Sequence, residues 1–407
     1  MTTSSRVKSL QLIALMLLSI GIPFGQLALS PLFATVMPLN DVLLYGWWLQ
    51  EMQLGKPVFG IVQPFVYPYP SLVPMWLAAF IGGASGILVG WCLLVGVLNA
   101  LAVGSLTKWG RGATSSFLAA WTWLGFLWLL GPSAIGRIDA ISVAVAIFGL
   151  VAFKEGKIFK AVAFFTIGAW LKIWPVALAL GAFIADKAKR QALVAGSSIV
   201  AVVLVVAAVA GANSSLFSFV STQGNRGIQI ESPIATFWLW AAKLGADDSK
   251  AGIYYDEKII TNQVYGPLVS EISSLMTAVM FIALAITAFL AFKALRAGAN
   301  RNQIFVMTSM TAVLDLIVFN KVGSPQFMAW LALPLIALIL FEIKKIAMPV
   351  AGFCTIALLT NLVYPISYMD LMGLGDVSVT LLTLRNLLLV LMLIWANLRL
   401  GSLSKRL

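Results

Sequence analysis

Twelve apolar segments divide the chain, at roughly 10–36, 84–106, 113–131, 138–153, 158–171, 174–185, 192–211, 272–295, 302–319, 325–341, 346–364 and 378–398. Many approach the ~20 residues that cross a bilayer as a helix. In lipid the backbone satisfies its own hydrogen bonds only as helices or closed barrels, and apolar runs of this length specify helices. The expected fold class is therefore an all-α polytopic membrane protein, one domain over 1–407, with about twelve transmembrane helices. Hydrophobic residues make up 61% of the chain and charged residues 10%, against about a quarter charged in a soluble domain. The first run, Leu10 to Ala34, lacks a small-residue cleavage signature and reads as a retained first span. Segments 158–171 and 174–185 are short, and form either a tight hairpin or a partly re-entrant pair. Residues 72–83 read as an interfacial helix, because a crossing there would place Lys108 and Arg111 on the wrong side.

The net charge of +12 is explained by its distribution and does not point to nucleic acid. With the N-terminus inside, 18 of the 27 basic residues, from Arg6 and Lys8 to Lys405 and Arg406, fall in inside turns and tails. Three acids, Glu155, Asp186 and Glu342, join them, so this side carries +15 and the remainder −3. Every inside turn is basic, as the positive-inside rule requires. The longer connections then lie outside: 38–74, 212–271 and 365–377, with Gln53 and Ala246 as outside positions. Function is expected on that face, where the non-helical chain is.

The first outer loop opens with a helix signature. Asn40 or Asp41 is a candidate N-cap, and Gly55 and Pro57 end the helix. Asp41, Tyr45, Trp48 and Met52 share one helical face, and Trp47 and Trp48 suit a helix at the membrane surface. Asp41 is thus either a cap or a general base. "VYPYPS" follows, a proline-fixed turn whose Tyr67 and Tyr69 offer flat faces to a sugar or lipid. Arg137 and Asp139 in "GRIDAI", Lys172 in "LKIWPVAL", Arg226 and Glu231 in "GNRGIQIES", and Lys321, Ser324 and Gln326 in "FNKVGSPQF" sit at the outer ends of spans. Each cation alone reads as a snorkelling side chain; four together read as a candidate site for an anionic head group. Asp315 and Arg385 lie within spans, where a charge usually faces a cavity or a partner, and are expected to pair. The two cysteines, Cys92 and Cys354, read as core residues. Histidine is absent, which removes the commonest metal ligand and general base; neither a metal nor a cofactor is expected.

These motifs resemble the GT-C glycosyltransferases, most closely glycosyltransferase family 87, which includes polyprenyl-phosphate-mannose-dependent α-mannosyltransferases and related arabinofuranosyltransferases. The resemblance rests on Asp41 with Tyr45, "YPYPS", "GRIDA", "LKIWP", "RGIQIES" and "KVGSPQFMAWLALP", the last two being the most specific. It implies a GT-C fold with interfacial helices in the first outer loop. It also implies Asp41 as the base, and transfer of a sugar, mannose in the preferred reading, from a polyprenyl-phosphate donor. The acceptor would be a glycolipid or lipoglycan on the outer face of the plasma membrane, and the anomeric carbon would be inverted. Some mannosyltransferases of the family carry histidines near the Ser-Pro-Gln region; this chain has none, so arabinofuranose stays open.

The residues suit that chemistry. A departing phosphate needs no acid when cations neutralise its charge; Lys172, Arg226, Lys321 and Arg137 are the candidates. Tyr45, Tyr67, Tyr69, Glu231 and Gln326 are candidates for substrate contact. The rival class is a lipid-linked sugar transporter, which would place ionisable residues near the midplane on broken helices in internal repeats; no repeat is evident.

Overall fold

The computed structural model describes residues 3–224, 226–245, 250–257 and 259–405; Ala246 and Arg406 lie outside them. Helices account for most of the described chain. In order they are α1 (Thr3–Leu29), α2 (Asn40–Gln53), α3 (Leu72–Gly82), α4 (Ile87–Leu106), α5 (Thr114–Leu130), α6 (Ile138–Lys154), α7 (Ile158–Leu171), α8 (Val176–Ala185), α9 (Lys189–Val209), α10 (Ser218–Gly224) and α11 (Thr236–Leu244). Then come α12 (Val269–Arg296), α13 (Arg301–Val318), a tight turn of helix at Pro325–Leu331 leading into α14 (Ala332–Leu340), α15 (Ala347–Asn361), α16 (Tyr368–Met372) and α17 (Asp376–Ser402).

Among the described residues, seven helical stretches are long and apolar enough to cross a bilayer: 6–33, 87–106, 114–134, 189–209, 269–296, 347–366 and 376–405. Helices α6, α7, α8, α13 and the 325–340 stretch fill the other five expected segments. The burial pattern separates centre from rim. Every residue of α14 is buried, as are most of α13. Helices α9 and α12 instead leave Val202, Val205, Phe281 and Phe289 exposed. A helix apolar all round but exposed on most of its surface fits lipid as its solvent.

The basic turns gather at one end of the bundle. Lys8 donates to the Gly112 carbonyl and Lys154 to that of Leu340. Lys108 pairs with Glu155 at 3.6 Å, and Arg301 with Asp186 at 2.5 Å. Ser115 bonds Glu342, and Arg399 reaches the Lys344 carbonyl. Helix α7 leaves this end at Lys157 and α8 returns to it at Asp186, so the two short segments form a hairpin with Lys172 in its turn. Helix α3 stays at the opposite end, because residues 83–86 turn it straight back against α4. Its approach is so close that a Cβ on Gly90 would lie 1.9 Å from the Ala78 carbonyl oxygen.

The all-α membrane class holds, and two other expectations need correction. One small element was not expected: β1 (Gly252–Asp256) and β2 (Thr261–Tyr265) form an antiparallel hairpin that pairs Gly252 with Tyr265 and Asp256 with Thr261. Ile253, Tyr254, Tyr255, Val264 and Tyr265 are the β-branched and aromatic residues that favour strands. Helix α2 begins at Asn40 with no side-chain cap; Asp41 is turned toward Arg137 instead. Asp315 and Arg385 do not pair. Asp315 accepts from Thr287 at 2.6 Å, whereas Arg385 pairs with Glu231 at 3.1 Å, because the 226–236 segment lies directly against α17.

Candidate functional site

A cavity of about 790 Å³ opens at the end of the bundle opposite the basic turns. Its wall is assembled from distant parts of the chain: α2, residues 66–67, the turn before α6, the α7–α8 turn, residues 226–231, the β hairpin, residues 322–327 and residues 364–372. The two most specific motifs meet here through their backbones. The Gln229 N–H donates to the Lys321 carbonyl at 3.0 Å. A Cβ on Gly323 would lie 2.1 Å from the Ser232 nitrogen, so this approach admits only glycine.

The first wall is α2. Its buried face packs Tyr45 and Trp48 against Tyr67, Phe65 and Trp91, with ring centroids 4.9–6.2 Å apart. The Tyr45 hydroxyl accepts from the Ile138 N–H at 3.0 Å, satisfying one of the orphan donors at the start of α6. This contact ties α2 to the turn that carries Arg137. There the Arg137 guanidinium forms an ion pair with Asp41 and donates to the carbonyls of Pro38 (3.2 Å) and Gly136 (3.0 Å). Burial, the largest single influence, would lower the Arg137 guanidinium, but Asp41 together with Tyr364, Tyr45 and Tyr67 holds it above its ordinary value. The Asp41 side chain remains about one-third exposed, facing the cavity.

Two more cations line the same space. The Lys172 ammonium lies 4.7 Å from the centre of the Tyr67 ring and 5.6 Å from that of Phe327. Burial pulls it down and nearby Asp139 opposes that pull. Arg226 is half-buried; desolvation lowers its guanidinium, with Tyr67, Asp256 and Asp41 acting against it. Its buried Nε has no hydrogen-bond partner among the described residues. A buried donor left open is unusual, and in a cavity wall it suits an anion.

Glu231 and Gln326 also line the cavity. Burial pushes the Glu231 carboxyl up, while Arg385 opposes the shift. Thus Asp41, Arg137, Lys172, Arg226, Tyr67, Glu231 and Gln326 are brought together. Tyr45, Tyr69 and Lys321 are not among the lining residues. Tyr45 lies behind the wall, and the Tyr69 hydroxyl donates to the Val203 carbonyl on α9 at 2.8 Å. The Lys321 ammonium donates to Ser273 on α12 at 3.2 Å. Tyr45 and Tyr69 were expected to touch substrate and Lys321 the donor phosphate; all three have partners away from the cavity lining.

Several lining residues were not anticipated: Trp47, Tyr255, Asn262, Tyr364 and Tyr368. The Asn262 amide donates to the Tyr368 hydroxyl at 3.0 Å, fastening β2 to the last outer segment. A signal existed for Tyr364, since "VYPIS" at 363–367 repeats the Val-Tyr-Pro opening of "VYPYPS", whose Tyr67 lines the same cavity.

A family model described as glycosyltransferase family 87 matches residues 65–320. This span is more than half of the chain and holds Tyr67, Arg137, Lys172, Arg226 and Glu231; Asp41 and Gln326 flank it and are joined to it by the cavity. No curated protein matches the chain.

Proposed function

The chain belongs to glycosyltransferase family 87, and from that premise we propose that it transfers mannose from a polyprenyl-phosphate donor to a glycolipid or lipoglycan acceptor, with inversion, on the outer face of the plasma membrane. The observation that supports this reading most is the convergence of the partly exposed Asp41 carboxylate with the cations Arg137, Lys172 and Arg226 around one cavity.

In this mechanism the donor phosphate sits against Lys172 and Arg226. Asp41 accepts the proton of the acceptor hydroxyl as that oxygen bonds the anomeric carbon. The bond from that carbon to the phosphate oxygen breaks, and polyprenyl phosphate departs with its electron pair. Preorganised cations stabilise the charge that develops there, and a positioned base contributes roughly 10²–10⁴-fold. Arg137 orients Asp41 through their ion pair. Tyr67, Glu231 and Gln326 are the substrate contacts, and the phosphate role expected of Lys321 passes to the two cations that line the cavity.

The direct test incubates purified protein with polyprenyl-phosphate mannose or arabinofuranose and candidate lipoglycan acceptors, followed by linkage analysis. Transfer of mannose is expected; transfer of arabinose alone would change the sugar, and no transfer from either would reject the reading. Lys172→Ala and Arg226→Ala should each raise the donor KM about 10- to 100-fold, since a hydrogen bond to a charged group is worth about 1.5–3 kcal/mol. Lys321→Ala should change it much less. For orientation, the positive-inside rule places the basic end in the cytoplasm. A cysteine at Gln53 should therefore react with an impermeant thiol reagent in intact cells, and one at Lys157 should not; the reverse pattern would invert the topology.

A further inference from the structure

Asp139 does not line the cavity, yet its carboxylate lies directly behind a cation that does. It occupies the first turn of α6 and is 1% exposed. Its Oδ1 accepts from the Trp330 indole N–H at 2.6 Å. Trp330 is itself fixed, stacked on Phe327 at 4.3 Å and on Trp174 at 5.8 Å. Its Oδ2 has no hydrogen-bond partner among the described residues and faces the Lys172 ammonium at 3.9 Å. The ammonium therefore has a carboxylate on its buried side, aromatic rings of Tyr67 and Phe327 beside it, and the cavity in front. A carboxylate is costly to bury unless it is paired, and Lys172 is the cation paired with this one.

We infer that Asp139 is a positioning residue for Lys172: it anchors the ammonium at the cavity wall and supplies the counter-charge that lets it meet a donor phosphate as a full cation. The inference rests on the reading of the cavity as the donor-phosphate site. Four charged groups act on Lys172: Asp139 from α6, Asp41 from α2, Arg137 from the turn before α6, and Arg226 from the outer segment. The two arginines and burial all favour loss of its proton. Asp139 is the largest influence on the other side, and Asp41 adds to it. An opposite charge at such a distance typically moves a titration by about 1–3 pH units.

Asp139→Asn removes the charge and keeps the volume and the oxygen that Trp330 bonds. Its effect is read first without donor, as the pH dependence of Lys172 acylation by acetic anhydride, followed by peptide mass spectrometry. The midpoint is expected to fall by at least about 1 pH unit. With polyprenyl-phosphate mannose, the alkaline rise in KM should move to lower pH by a similar amount. Lys172→Arg in the Asp139→Asn background should remove the alkaline rise in KM that stems from Lys172, because a guanidinium keeps its proton; a loss due only to disturbed packing at Trp330 would not be rescued. An unchanged acylation midpoint in a folded Asp139→Asn protein overturns the proposal. If that variant folds poorly, thermal unfolding of Asp139→Asn, Lys172→Met and their double variant decides: coupled losses support the pairing and additive losses overturn it. A shifted acylation midpoint with donor KM unaffected at every pH leaves Asp139 as the partner of Lys172 and removes the phosphate reading instead.

Discussion

Asp41→Asn should leave the protein folded and lower turnover by at least about 10²-fold, the smaller end of what a positioned base contributes. Capping is not the alternative explanation, since α2 starts without a side-chain cap. The alternative is that Asp41 serves only to hold Arg137. Asparagine still offers an oxygen to the guanidinium, and Arg137 keeps its bonds to the carbonyls of Pro38 and Gly136. Asp41 is partly exposed but Arg137 is mostly buried, so the lost charge should cost more than the roughly 0–1 kcal/mol of an exposed pair; the retained oxygen and carbonyl bonds should keep the protein folded. Donor KM should stay within a few-fold, because Lys172 and Arg226 are untouched. A variant that transfers sugar at near the parental rate would leave the mechanism without its base. A variant that loses donor binding in step with turnover would make Asp41 a binding residue.

The largest effect on stability should come from Arg385→Met. Arg385 and Glu231 are 1% and 5% exposed in their side chains. Around their ion pair, Arg385 also donates to the Glu231 carbonyl and to Asn386 Oδ1, at 2.8 Å for the latter. Asn386 in turn bonds Thr236 at 2.8 Å. Removing the arginine leaves Glu231 buried without its partner, which typically costs about 3–5 kcal/mol. Replacing both, as Glu231→Gln with Arg385→Met, should recover much of that loss, because a buried pair is worth far less than the penalty for halving it. Thermal unfolding in detergent measures the difference. Equal destabilisation of single and double variants would mean that the 226–236 segment is held by packing alone.

The readable and unreadable parts of this architecture divide by sequence distance. Apolar runs and basic turns are local signals, and they located α1, α4 to α9, α12 to α15 and α17 and the end of the bundle where the basic turns meet; α10, α11 and α16 lay inside outer segments read as loops. Arg137, Lys172, Arg226, Glu231 and Gln326 were visible because polar residues at the ends of apolar runs are conspicuous. Which of them converge was not visible. Glu231 and Arg385 are 154 residues apart, and no periodicity reports that an outer segment folds down beside a span. Asp315 was the nearer candidate by its position in the chain, and packing gave it Thr287 instead. Lys321 looked equivalent to Lys172 by its place at a span end. The backbone bond between Lys321 and Gln229 fixes that segment, while the ammonium reaches Ser273 rather than the cavity. The β hairpin was hidden inside a loop read as one piece, because "GIYYD" and "TNQVY" carry strand-favouring residues without the apolar–polar alternation that marks a strand.

The lining of the cavity has a charge balance that bears on turnover. Among the described residues it carries three cations, Arg137, Lys172 and Arg226, and two carboxylates, Asp41 and Glu231, a surplus of one positive charge if all are ionised. A lipid phosphodiester brings one negative charge, so the proposed donor complex is electrically neutral. Transfer converts the diester into a monoester of about two negative charges at neutral pH, as phosphate monoesters are, while the proton on Asp41 raises the surplus to two. Neutrality therefore holds through the chemical step. It ends when Asp41 returns its proton to water, because one positive charge then faces nearly two negative ones. On this mechanism the deprotonation that readies the base for its next acceptor also loosens the spent lipid phosphate, so recovery of Asp41 and product release are one event.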